Sequence, residues 1–217
     1  MVTIHIIVEG GVYDQQVACN VEALRESFYG FFSRLLNSNN VSIVVEIGAS
    51  DRNAARSFLR NGKQRFLWVD SDSPNTDDWY EKMNSGDRPI VIPSTERDKI
   101  YFMIQEMEAW FLKQPQCLYR WAQKERFQIS ENKGLISNHS IIKNKYIESL
   151  SKPSKKVKIL VSTFFHTTSR SGRKKGVKYG KLTSAPRIID ELDVDSLKEN
   201  DAQLTRFSCA VAIMTDE

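Results

Sequence analysis

A chain of 217 residues with 41% hydrophobic composition can bury one large core, or a core with an appendage, without covalent staples. Its three cysteines, Cys19, Cys117 and Cys209, lie far apart with no CxxC spacing, which argues against a disulfide framework or a thiolate zinc site and fits a reducing cytoplasm. The formal charge of +4 hides an asymmetry. Of the 31 basic residues, eleven fall between Lys152 and Arg187 with no acid among them, leaving 20 basic against 27 acidic residues elsewhere, a formal charge of -7. An acidic body with one basic segment suits a polyanion gripped by the basic part while its reacting phosphate meets the acidic part.

The chain starts directly on a strand-like run, with no basic region leading into an apolar core and no small-residue cleavage site, and nowhere holds 18 consecutive apolar residues. Neither secretion nor membrane spanning is therefore expected.

Residues 2 to 8, VTIHIIV, are almost continuously apolar and rich in β-branched types, the pattern of a strand buried on both faces. From Asp14 to Leu36, apolar positions at three- and four-residue spacing predict an amphipathic helix ending before Asn37-Ser38-Asn39-Asn40. SIVVEI is a second strand. Ser50 or Asp51 caps a helix over Arg52 to Arg60, stopped by Asn61-Gly62, and RFLWVD is a third strand. Strands alternating with helices imply right-handed crossovers and a mostly parallel sheet, so the expected fold class is α/β.

Ser71 to Asp87 reads as a loop with a short helix around Asp77 to Met83, and IVIP and IYFMI supply one or two more strands. Gln105 to Leu112 is a helix ended by Pro115. Leu118 to Leu150 is expected to be largely helical, Lys152 to Ser154 a linker and KILVSTFF a late strand. Ser169 to Lys178 is too polar and glycine-bearing to pack and reads as a loop. Ser184 to Met214 reads as two or three helices. The expected organisation is a core over residues 1–115 with a helical, basic part over 116–217 packed on it as one unit.

Acidic residues stand where these strands stop: Glu9 after IHIIV, Asp70 and Asp72 after RFLWV, Glu106 and Glu108 after IYFMI. Carboxylates at the C-terminal ends of parallel strands sit on the rim where such folds bind ligands. Several converging there suit a hard divalent cation, Mg²⁺ or Mn²⁺. Glycine after Glu9 lets a phosphate or metal approach the backbone, and Asp-x-Asp at a strand end directs two carboxylates to one side while Ser71 points away. Glu106 and Glu108 are about 200° apart on a helix, so both face one metal only if the helix has not yet begun there; Glu106 also reads as a first-turn acid favoured by the helix dipole. Arg170, Arg173, Lys174, Lys175 and Lys178 suit phosphate contacts, and Lys181 suits stabilisation of developing charge. His166, between Phe165 and Thr167, is a possible acid or base; His5 reads as structural.

Val8-Glu9-Gly10, Asp70-x-Asp72 and Gln105-x-Met107-Glu108-Ala109-Trp110 together resemble the signature of a small TOPRIM-like family, related to the nuclease domains of overcoming-lysogenization-defect proteins. Tyr179-Gly180-Lys181 and Arg206-Phe207 fit the same pattern. The resemblance implies a TOPRIM sheet with a Mg²⁺ or Mn²⁺ site, Glu9 as the motif glutamate, Asp70 and Asp72 as the Asp-x-Asp, and Glu108 in the Met-Glu-Ala-Trp block. It also implies an ABC-type or AAA-type ATPase partner in anti-phage defence. The family's commonest opening is Val-Glu-Gly-x-Thr-Glu; this chain has Gly11-Val12-Tyr13-Asp14 after the glutamate and glycine, which raises Asp14 as a further site acid. The resulting expectation is a metal-dependent nuclease acting on DNA or RNA. The alternatives are a non-catalytic subunit docking on an ATPase and another TOPRIM-type phosphotransfer enzyme. No P-loop is present for ATP hydrolysis by the chain itself.

Overall fold

The structure is a computed structural model that describes residues 1–10, 18–37, 40–60, 64–169 and 171–216, without the side chains of Glu131 and Asp216. Gly11, Asp14, the Asn61-Gly62 stop and Arg170 lie outside the described residues.

The apolar runs form β1 (Val2–Glu9), β2 (Val41–Gly48), β3 (Arg65–Asp70) and β4 (Ile100–Met103), paired in parallel in the order β2-β1-β3-β4. Helix α1 (Ala18–Leu36) links β1 to β2, and α2 (Asp51–Phe58) links β2 to β3. The side-chain alternation of each strand separates two cores. Ile4, Ile6 and Val8 of β1, Phe66 and Trp68 of β3, and Tyr101 and Met103 of β4 face α1 and the C-terminal helices. Ile7, Leu67, Val69, Ile100 and Phe102 face the other way, against Ala54, Ala55 and Phe58 of α2 and against Trp79 and Met83 of α3 (Asp77–Met83). A sheet covered on both faces explains why these strands are nearly all apolar rather than alternating.

After β4 come α4 (Glu108–Lys113), α5 (Gln116–Lys124), β5 (Gln128–Ile129), α6 (Pro153–Phe164), β6 (Phe165–Thr168), β7 (Lys174–Gly176), α7 (Ala185–Ile189), α8 (Val194–Glu199) and α9 (Ala202–Asp216). The larger core runs from Ile4 to Val211 without a break between the two halves of the chain. Phe207 of α9 joins them, its ring 5.1 to 5.6 Å from those of Phe32, Phe66, Trp68 and Tyr101. The Arg206 guanidinium lies 4.1 Å over the Tyr101 ring and donates to the Ile100 carbonyl, fixing α9 on the edge strand.

Of the one or two strands expected from IVIP and IYFMI only the second forms, and three other expectations change. KILVSTFF is not a strand: Val157, Leu160, Val161 and Phe164 recur at helical spacing and are buried, and Pro153, read as linker, takes the first helical position where its missing N–H costs nothing. IVIP stays outside the sheet, burying only Ile90 and Ile92. The region after α5 is short 3₁₀ turns and loop rather than helix. Within the expected loop, Lys174–Gly176 pairs antiparallel with β6, which pairs with β5, giving a second, three-stranded sheet.

Candidate active site at the carboxyl ends of the parallel strands

β2 lies on one side of β1 and β3 on the other, so the chain reverses its direction of travel across the sheet at β1. The crevice at the carboxyl ends of β1 and β3 is the switch point where open α/β sheets bind ligands. The last residues of these two strands are Glu9 and Asp70. Gly10 follows Glu9 with φ +150°, and a Cβ there would sit 3.1 Å from Leu24; its N–H donates to the Gly48 carbonyl at 2.7 Å. Glycine is thus required for the chain to leave the strand beside β2.

The buried Asp70 carboxylate is the centre of the site. Its Oδ1 accepts from the Met107 N–H at 2.8 Å, and its Oδ2 receives the Lys181 ammonium at 2.6 Å. Its own backbone N–H donates to Glu9 Oε2 at 3.0 Å. Glu108, in the first turn of α4, is fully buried: Oε1 accepts from the Tyr179 hydroxyl at 2.8 Å, whereas Oε2 has no hydrogen-bond partner. Tyr179 and Lys181 flank Gly180, whose carbonyl accepts from the Ser184 N–H at 2.8 Å and closes a turn at the start of α7. A 111-residue separation is bridged by this turn, which brings one cation to three acids.

The charge balance follows from burial. Glu9 is pushed from 4.5 up to about 8, first by burial and then by the Asp70 carboxylate, with Lys181 opposing. Burial also raises Asp70 and Glu108, again opposed by Lys181. Burial disfavours the Lys181 ammonium, but Asp70 and Glu108 outweigh it and hold its pKa above the ordinary lysine value. Tyr179 is held neutral by burial and by the adjacent Glu108. Three acids share one ammonium whose side chain keeps 40% of its surface exposed, so the cluster has an excess of negative charge when ionised.

Asp72 is placed elsewhere. β3 ends at Asp70, and Asp72 takes a left-handed conformation, φ +56°, with its N–H donating to the Gln105 carbonyl at 2.9 Å. The strand alternation that would aim both aspartates one way therefore stops between them. Asp72 pairs with Lys82 at 2.8 Å, and the same ammonium lies 2.7 Å from Asp51 at the start of α2. Glu106 is also turned away, accepting from the Ser154 N–H at 2.6 Å at the start of α6. Ser71 is buried; its hydroxyl accepts from the Gln105 N–H at 2.8 Å, which ties the loop after β3 to that after β4.

Glu9, Asp70, Glu108 and Lys181 are thus brought together; Asp72 is not, and Glu106, near enough to raise the Asp70 carboxyl, has its own carboxylate committed to the Ser154 N–H. Among the described residues, no three His, Cys, Asp or Glu side chains close around a common point for a metal ion. The donor set is nonetheless hard oxygen, Glu108 Oε2 has no hydrogen-bond partner, and Lys181, which holds Asp70 Oδ2, would have to yield that oxygen to a cation. These features fit a divalent cation at Glu9, Asp70 and Glu108. Tyr179 joins the site beside Lys181 of Tyr179-Gly180-Lys181; that its hydroxyl meets a glutamate 71 residues away is a contact no local pattern specifies.

Arg173, Lys174, Lys175 and Lys178 are exposed on and after the β6–β7 hairpin, and none forms an ion pair among the described residues. His166 lies on β6 with Nδ1 3.4 Å from the Ser130 hydroxyl. No helix among the described residues is long and apolar enough to cross a membrane. Comparisons with protein-family models, with curated proteins and with solved structures find no match.

Proposed function

We propose that the protein is a metal-dependent nuclease of TOPRIM-like type, hydrolysing phosphodiester bonds of DNA or RNA. The observation that carries this reading is the convergence of Glu9, Asp70 and Glu108 on the Lys181 ammonium at the switch point of the parallel sheet. Mg²⁺ or Mn²⁺ would be held by these three carboxylates, and would supply charge neutralisation on the phosphate and activation of the attacking water.

The chain's own residues have separable tasks. Asp70, fixed through Oδ1 by the Met107 N–H, is held in one orientation. Lys181 exchanges its ion pair for a phosphate oxygen and stabilises the charge that develops there. Glu9, raised to about 8 by burial and by Asp70 without metal, would lose its proton on taking the cation and so couples metal binding to proton release near neutral pH. Tyr179 positions Glu108 through its hydroxyl. The cationic hairpin Arg173–Lys178 holds the flanking phosphates.

The test is cleavage of labelled duplex DNA, single-stranded DNA and total RNA with Mg²⁺, Mn²⁺ or EDTA. Metal-dependent cutting reduced at least about 100-fold by Asp70→Asn supports the reading; cutting equal in wild type and variant refutes it. One observation favours a second reading: Asp72 is committed to Lys82, away from the other acids. In that reading the chain is a non-catalytic subunit docking on a partner ATPase. Cutting that appears only when an ATPase is added supports the partner while retaining catalysis.

A further inference from the structure

The second sheet forms a groove separate from the carboxylate cluster, and the cationic hairpin supplies one wall of it. It has a volume of about 1000 Å³ and is lined by Phe127, Gln128, Ser130, Lys133, His166 and Lys174 among others. β5, β6 and β7 lie side by side in it, with Gln128 opposite His166 and His166 opposite Gly176. Gly176 is required for closeness, since a Cβ there would fall 2.7 Å from the Ser162 carbonyl of α6. The described lining residues include two lysines, an imidazole and side-chain amides and hydroxyls, with no acid among them. Neither lysine forms an ion pair among the described residues, so both cations are free for an anionic ligand.

We infer that this groove binds a single-stranded polynucleotide and leads it to the carboxylate site, a substrate assignment that rests on the nuclease reading. Three observations combine. The two lysines are complementary to phosphates, the Gln128 and Asn132 amides offer hydrogen-bonding edges for unpaired bases, and the half-buried Phe127, packed 5.3 Å from the Trp121 ring, gives the groove an apolar wall. Three strands span only about 10 Å, narrower than a duplex, and the Gln128 and Asn132 side chains that line the groove are exposed to an incoming base. Finally, Gly176 in the groove and Lys181 on Asp70 are five residues apart, at most about 18 Å along the chain, so a strand leaving the groove reaches the site within a few nucleotides.

Fluorescence anisotropy with labelled 20-nucleotide single-stranded DNA and RNA and a 20-base-pair duplex, in EDTA, reads binding without cleavage. The full chain is compared with Lys133→Glu/Lys174→Glu and with Lys143→Glu/Lys145→Glu, an equal charge change outside the groove, each verified as folded by circular dichroism. The inference requires single strands to bind more tightly than the duplex, a loss of at least tenfold in the groove variant, and a change within about twofold in the control. Equal losses in both variants, or tighter duplex binding, overturn it. Wild-type protein that binds single strands but neither binds Mn²⁺ nor cuts with it removes the nuclease reading and leaves the groove. Cutting of single strands at the wild-type rate by the groove variant overturns the groove and leaves the nuclease reading.

Discussion

Burial makes the site's carboxylates costly to ionise, and their protons report it. Glu9 titrates near 8 when folded and near 4.5 when unfolded, so between these values the native state holds the extra proton. Its contribution to stability is complete below about pH 4.5 and is lost as pH rises through 8. Asp70 and Glu108 are raised as well and act in the same direction. Thermal unfolding in EDTA from pH 5 to 8 is expected to show a melting temperature falling at least about 5 °C further for wild type than for Glu9→Gln. Parallel curves for the two proteins would show that Glu9 is not titrating there. Tyr179→Phe removes the partner of Glu108 Oε1 and leaves both oxygens of a buried carboxylate unsatisfied. It should lower cleavage about tenfold with an intact fold, and unchanged cleavage would remove Tyr179 as a positioning residue.

The helices that carry the C-terminal half show what local pattern reveals and what it does not. The strands β1, β2 and β3, helix α3 and the three C-terminal helices were readable because each pairs an uninterrupted periodicity with a turn signal. KILVSTFF reads as a strand because it is short, apolar and β-branched, and only the wider spacing of Val157, Leu160, Val161 and Phe164 marks α6 as a helix. Ends of strands gave Glu9 and Asp70, but the left-handed Asp72 and the ion pair with Lys82 depend on contacts with other elements. Asp201 stands just before α9; its Oδ1 accepts from the N–H groups of Gln203 and Leu204 at 3.0 and 3.2 Å, while Oδ2 takes the Trp110 indole N–H at 3.1 Å and the Lys113 ammonium at 2.9 Å. Asp201→Ala loses the cap and leaves a buried indole N–H unpaired, a destabilisation of about 2–4 kcal/mol in urea unfolding. A change under about 0.5 kcal/mol would mean that neither contact persists in solution.

Across the whole molecule, one buried aromatic cluster ties the parallel sheet to the helical half and so sets Lys181 against Asp70. Phe207 is fully buried and touches four rings from α1, β3 and β4. Phe207→Ala should cost about 3–5 kcal/mol and unfold both halves in a single transition. A variant that melts in two steps would show that the halves are separately stable. The charge asymmetry of the sequence has a counterpart in space, with acids at the carboxyl ends of the strands and free cations on the hairpin five residues before Lys181.

The central claim, that Glu9, Asp70 and Glu108 form a divalent-metal site around Lys181, is tested most directly by calorimetric titration of the purified chain with Mn²⁺, since binding needs neither substrate nor activator. The account predicts saturable binding to wild type at one site or more, weakened at least tenfold by Asp70→Asn and by Glu108→Gln and unaffected by Lys133→Glu. No binding to wild type, or binding that both carboxylate variants retain in full, would contradict it.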